Sequence, residues 1–281
     1  MKHLYIIIFL TFSQYIAYNQ PNIYRNTIFL KKLYKDKNYQ DLRNSISTKY
    51  AHITPGKWGE FVKGVETFLA TDEKVVALTF DACGGRGGNK FDSSLINFLR
   101  REKIPATLFV TGKWIDANYT VFIELSKDAL FEIENHGLNH KPCSVCGDSI
   151  YGIKGTTNVL DALDEIEANA LKIKEITGRR PLFYRSATAY TDEACVKIAK
   201  DLNITIVSFG VLSNDALPNN SAQTIKENVL KNVKPGAIII MHFNHPERNT
   251  YKSLIEIIPE LRKQGYGFVK LNKYPPRKTA N

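Results

Sequence analysis

Residues 74–83 read KVVALTFDAC, and the fold and the chemistry both turn on this stretch. Val75 to Phe80 is a short apolar run rich in β-branched residues, and it is stopped by the glycine cluster Gly84-Gly-Arg-Gly-Gly88. That pattern predicts a buried strand that ends abruptly. Asp81 then falls at the carboxyl end of the strand, where open α/β sheets and barrels collect their functional groups. A buried carboxylate is costly unless it is paired or working. Taken alone, Asp81 reads equally as a turn former or as the N-cap of the next helix.

Moving outward, further strands are predicted at Ala106–Val110, Ala129–Ile133, Leu182–Tyr184, Ile204–Phe209, Ala237–Met241 and Gly267–Leu271. Helices are expected between them. Asp92 is placed to N-cap one that runs through Glu102. Leu160, Leu163, Ile166, Ala170 and Ile173 give Asn158–Ile176 a helical period that ends at Gly178. Further helices are expected at Asp192–Leu202, Thr224–Asn232 and Tyr251–Lys263. About seven β/α units without internal repeats predict an α/β fold with a parallel sheet, open or closed into a barrel. Residues 18–73 are polar and rich in Tyr, Asn and Lys. They are expected to form an N-terminal extension with helices at Thr27–Tyr34 and Trp58–Ala70. Residues 273–281 read as a solvated tail.

The chain has 281 residues, of which 43% are hydrophobic, enough for a real core and incompatible with wholesale disorder. Its net charge of +10 suits acidic partners. No basic run interleaved with aromatics and no nucleic-acid fold signature is present, which argues against nucleic acid. A basic tip and the apolar run Leu4–Phe12 read as a secretory signal over residues 1–17, with cleavage near Ala17. The run is too short to span a bilayer, and an uncleaved anchor is the alternative. No cysteine follows it, so a lipid anchor is not expected. Membrane association is expected only through this segment, if it is retained. Export would permit disulfides among Cys83, Cys143, Cys146 and Cys195. The lone Cys143-Ser-Val-Cys146 pair reads as structural rather than as a redox pair or half a zinc site.

Glu132-Ile-Glu-Asn-His136-Gly-Leu-Asn-His140 follows a predicted strand directly. Two histidines four apart on one side of a helical turn suit chelation of a transition metal. His242 ends the strand GAIIIMH, where a buried histidine bonded to a backbone carbonyl is an equally good reading. The ordered set TFDA, IPATLFVTGKWI, EIENHGLNH, RPLFYRSATAY and IIIMHFNHP resembles the polysaccharide deacetylases, the NodB-homology family 4 carbohydrate esterases, over roughly residues 74–272. The resemblance implies a distorted (β/α) barrel that hydrolyses linear amide C–N bonds of an N-acetylated glycan, with a divalent metal, zinc or cobalt. It implies Asp81 as catalytic base, His136 and His140 as metal ligands, and His242 as general acid. It further implies Arg185 as the group orienting the base and Asp215 as the carboxylate tuning His242. Without the resemblance, Arg185 and Asp215 would read as surface charges.

The chain also departs from the family pattern. Ala82 stands where a second aspartate normally completes the metal site. Asp81, Cys83 and His245 are the conceivable replacements, and Cys83 should point to the opposite side of an extended chain from Ala82. RSATAY replaces a proline-rich motif, Leu212 replaces an aspartate, and GGRGG replaces a shorter turn, reading as a lip beside the site. The leading expectation is therefore an exported deacetylase of a cell-envelope glycan. The alternatives are a carbohydrate-binding protein that has lost hydrolysis, and a small-molecule amidohydrolase.

Overall fold

The computed structural model describes residues 25–274. The strands of the main sheet are β1 (Val75–Ala82), β2 (Ala106–Val110), β3 (Phe131–Asn135), β4 (Phe183–Tyr184), β5 (Thr205–Ile206), β6 (Val211–Leu212), β7 (Ile238–His242) and β8 (Gly267–Phe268). Their order is β6-β7-β1-β2-β3-β4-β5, with β8 also paired to β1, and every pair is parallel. The sheet curls into the distorted (β/α) barrel that the sequence suggested. The N-terminal extension runs between the end strand β5 and the start of β7, next to the other end strand, β6. The Glu66 amide donates to Ile206 O, Ser208 N–H donates to Glu66 O, and Leu69 N–H donates to Gly236 O.

The alternation along β1 divides the core. Val76, Leu78, Phe80 and Ala82 belong to the outer apolar layer, together with Leu95 and Leu99 of the first helix after β1 and Leu254 and Ile258 of the last helix. Ala77 faces the barrel interior with Phe109, Phe183 and Ile238, and Thr79 and Asp81 share its side. Each of these fully buried large apolar side chains contributes about 1.5–3 kcal/mol.

The helices follow in chain order: α1 (Asn26–Leu33), α2 (Lys37–Lys49), α3 (Ser93–Arg101), α4 (Gly112–Ala117), α5 (Tyr119–Lys127), α6 (Val159–Leu163), α7 (Asn169–Thr177), α8 (Glu193–Asp201), α9 (Ala222–Asn232) and α10 (Thr250–Lys263). Asp92 caps α3 as expected, accepting from Leu95 N–H at 3.0 Å. Gly178 ends α7 in the left-handed region, φ +76°, where a Cβ would be strained. The long period at 158–176 is a helix interrupted between α6 and α7 by a π-turn, Asp164–Ala168.

Two expectations for the extension need correction. Lys37–Lys49 is helical, because the Asp36 carboxylate caps it through Tyr39 N–H and Tyr39 and Ile46 bury one face. Trp58–Ala70 is not a helix. Gly59 and Gly64 weaken the helical state, and the segment's backbone bonds go to distant segments instead: Trp58–Gly59 pairs with Thr191–Asp192, Glu66 bonds along β5, and Leu69 bonds Gly236 ahead of β7. The expected signal segment lies outside the described residues.

A buried lysine pins the extension to the barrel. Lys172 of α7 is fully buried, and its ammonium donates to Asn26 Oδ1 at 2.7 Å, to Gly112 O at 3.2 Å and to Asp116. Burial pushes its pKa down, against the Asp116 carboxylate. Replacing Lys172 by Met is expected to cost about 1–3 kcal/mol, since it leaves the buried Asn26 Oδ1 and Gly112 O without this donor. Chemical denaturation checks this, and unchanged stability would mean that the clamp contributes nothing.

Candidate active site

Strand pairing brings the first two predicted site residues together. Asp81 and His242 are register partners on β1 and β7. Asp81 is buried, and Arg185, which follows β4, reaches it across the barrel interior. Arg185 Nη1 donates to Asp81 Oδ1 at 2.7 Å, and Nη2 donates to Thr79 Oγ1 and to Ser208 O, each at 2.8 Å. The guanidinium lies 4.3 Å from the centre of the Phe109 ring. Arg185 is fully buried, so its charge is answered by Asp81 and by fixed dipoles rather than by water.

His242 is fixed from the other side. Asp215 Oδ1 lies 2.9 Å from His242 Nδ1, and Asp215 Oδ2 accepts from the His242 backbone amide at 2.7 Å and from Thr250 Oγ1 at 2.8 Å. Ser213 Oγ donates to Oδ1 as well. Burial opposes charge on both partners, yet the pairing wins. The Asp215 carboxyl is held below its ordinary range, and the His242 imidazolium is favoured well above its ordinary pKa. Asp215 thus orients the ring through Nδ1. The carboxylate cannot donate, so Nδ1 carries the proton.

The histidine pair occupies a loop, not the expected helical turn. Strand β3 ends at Asn135, and residues 136–140 are irregular, with Gly137 at φ +87° and His140 at φ +58°. The buried Glu165 carboxylate, presented by the π-turn, shapes this loop. It accepts from Asn139 N–H at 2.9 and 3.0 Å and from Lys141 N–H at 3.0 Å. A Cβ on Gly137 would lie 2.4 Å from Glu165 Oε1, so only glycine fits. His136 is buried, and its Nδ1 donates to Arg185 O at 2.8 Å, which leaves Nε2 as the free lone pair. The two imidazole rings are 5.0 Å apart, centre to centre.

Beyond Asp81 the chain turns sharply. Thr111 Oγ1 donates to Cys83 O at 2.9 Å, and Gly84 at φ +72° packs where a Cβ would meet Trp114 N at 2.6 Å. Ala82 is buried in the outer apolar layer with Val110, Trp114 and Phe243. Cys83 faces the other way, as the alternation predicts, and its Sγ lies 3.9 Å from His136 Nε2. One ligand atom each from Cys83, His136 and His140 lies within 4.8 Å of the others. That is a donor set of one thiol and two imidazoles, suited to a zinc-like ion. Burial would raise the Cys83 thiol's pKa, but the surrounding His140, His136 and His242 pull it well below its ordinary value. Asp81 Oδ2 lies 3.8 Å from His136 Nε2. His245 instead bonds Glu247 through Nδ1.

The sequence profile of the polysaccharide deacetylase family matches residues 69–207. A peptidoglycan-N-acetylglucosamine deacetylase of Bacillus cereus is 30% identical over 225 residues, covering 78% of this chain and 74% of that protein. The chain belongs to the polysaccharide deacetylase family. Among solved structures of this deacetylase fold, a family 4 acetyl xylan esterase from Clostridium thermocellum, in complex with a cobalt ion, superposes with a TM-score of 0.58 at 25% identity. It covers 72% of this chain and 90% of that one. A family 4 pseudoenzyme from Bacillus anthracis gives a TM-score of 0.62 at 21% identity, covering 76% and 69%.

This member of the polysaccharide deacetylase family gathers Asp81, Arg185, His136, His140, His242 and Asp215 at one end of its barrel. The two charges that would have read as surface groups, Arg185 and Asp215, are both buried. Sequence reasoning missed Glu165, Thr79, Ser208 and Thr250. For Glu165 a signal existed: a carboxylate set among the apolar positions of 158–176. The Cys143–Cys146 pair forms no disulfide, since Cys143 is buried, Cys146 is exposed, and both are free.

Proposed function

We propose that this protein is an exported deacetylase that removes N-acetyl groups from an amino-sugar polymer of the cell envelope, with residues 74–272 as its catalytic domain. One observation carries the reading. A carboxylate held by a buried arginine and an imidazole held by a buried carboxylate are register partners, with two histidines beside them. Acid and base need that fixed separation of roles.

Arg185 occupies Asp81 Oδ1, so Oδ2 takes the proton from the attacking water. Arg185 also holds the carboxylate correctly turned. The leaving amine receives its proton from His242 Nε2, the ring nitrogen that Asp215 leaves free. The products are acetate and the free amino sugar, and the proton taken at Asp81 balances the one given at His242. A divalent ion such as zinc or cobalt, when held by His136 and His140, supplies a Lewis acid for the acetamide carbonyl and lowers the pKa of water toward about 7. Export is supported by the signal-like residues 1–17 and by the peptidoglycan deacetylase relative.

Acetate release from N-acetylglucosamine oligomers and from peptidoglycan tests the proposal. Wild type should release acetate, and His242→Ala should lower turnover by about a hundredfold or more. Ala82 in place of the usual aspartate favours a second reading, a glycan-binding protein without hydrolysis. Glycan binding with no acetate released at any metal concentration would establish that reading instead.

A further inference from the structure

We infer that Cys83 is the third protein ligand of the metal, its thiolate replacing the carboxylate that the chain lacks at Ala82. The inference rests on the metal-assisted reading above and assigns the incomplete part of that site. Two histidines alone are a weak set, because catalytic zinc normally has three protein ligands and one open position. Ala82 supplies nothing, since its methyl group is committed to the outer apolar layer. One residue on, the chain reverses its facing, and the left-handed Gly84 together with the Thr111 hydroxyl hold Cys83 in place against the histidines.

The distances agree with a shared ion. A thiolate sulfur and an imidazole nitrogen bound to one tetrahedral zinc lie roughly 3.5 Å apart, from bond lengths near 2.3 and 2.0–2.1 Å. Cys83 Sγ and His136 Nε2 are 3.9 Å apart, a few tenths of an ångström more than that, and one His140 nitrogen lies within 4.8 Å of both. His136 already presents the correct tautomer, with Nδ1–H fixed on Arg185 O. The rivals are worse placed. One oxygen of Asp81 is bound by Arg185, and binding the other to the ion would consume the base. His245 does not lie with the gathered atoms of Cys83, His136 and His140. A thiolate donor also shifts preference toward zinc and cobalt and away from magnesium or manganese.

Cobalt(II) substitution tests this without any substrate. The wild-type protein should bind one cobalt per chain and develop the near-ultraviolet thiolate-to-cobalt charge-transfer band. Cys83→Ser should lose that band and bind cobalt at least tenfold more weakly, whereas Cys83→Asp should recover binding without the band. Zinc should also protect Cys83 from alkylation, with the exposed Cys146 as the internal reference in the same peptide map. Stoichiometric cobalt at the histidines with no charge-transfer band, or Cys83→Ser binding as tightly as wild type, would overturn the inference while leaving the metal site standing. No cobalt bound by the wild type would overturn both.

Discussion

Arg185→Leu is expected to cost about 3–5 kcal/mol of folding stability, because it leaves Asp81 as an uncompensated buried charge. Acetate release should fall by at least a hundredfold as well, since the carboxylate that takes the proton loses the group that fixes its orientation. The magnitude follows from how completely the pair is enclosed: Arg185 is fully buried and Asp81 nearly so. Thr79 and Ser208 would lose their donor at the same time. Arg185→Lys should not rescue, because a single ammonium cannot reproduce a fork that reaches Asp81, Thr79 and Ser208 from two nitrogens.

The double variant Arg185→Leu with Asp81→Leu separates the two losses. Removing both charges should restore much of the stability while leaving the protein inactive. Urea denaturation and acetate assays on the four proteins of this cycle measure both quantities. If Arg185→Leu alone unfolds at the wild-type midpoint, Asp81 is not held as described. A double variant that remains as unstable as the single one would mean that Arg185 acts through packing on Phe109 rather than through charge.

What the sequence made legible follows from how local each signal is. Strand β1 was readable because its apolar run and its terminator lie within one short stretch, and β2 matched its expected range for the same reason. The helix caps at Asp92 and Gly178 were readable because capping is decided by a few adjacent residues. In the extension the helix expected at Thr27–Tyr34 is present as Asn26–Leu33, but the second half was not legible, since the backbone bonds of Trp58–Leu69 go to segments more than a hundred residues away, and no local pattern records that. The histidine spacing pointed to two side chains that do lie together, their rings 5.0 Å apart, but on a loop rather than a helical turn. Chelation needs proximity, which a loop with Gly137 and His140 in left-handed conformations provides as well as a helical turn does. The burial of Arg185 and Asp215 was legible only through family resemblance, because charge alone predicts exposure.

Glu165→Ala is expected to lower stability by about 2–4 kcal/mol, since the Asn139 and Lys141 amides would each lose a buried acceptor. It should also weaken cobalt or zinc binding about 10–100-fold, the usual effect of removing a group that orients a ligand. The carboxylate stands at the point where the helical phase of 158–176 is broken by the π-turn. Within that turn Glu165 faces the histidine loop while Ile166 stays in the apolar core. Burial raises its pKa, and the loop amides oppose that by favouring the charged form. Without it, the amides on both sides of His140 lose their acceptor, and the loop is left to the bonds of Gly137 with Asn135 Oδ1 and of Leu138 with Lys113. Glu165→Gln keeps one carbonyl acceptor and should fall between wild type and Ala in both quantities. Calorimetric metal titration beside chemical denaturation reads the two effects separately. Metal affinity unchanged in Glu165→Ala, with stability lost, would reduce Glu165 to a purely structural group and leave the histidine geometry to Asn135 and Arg185.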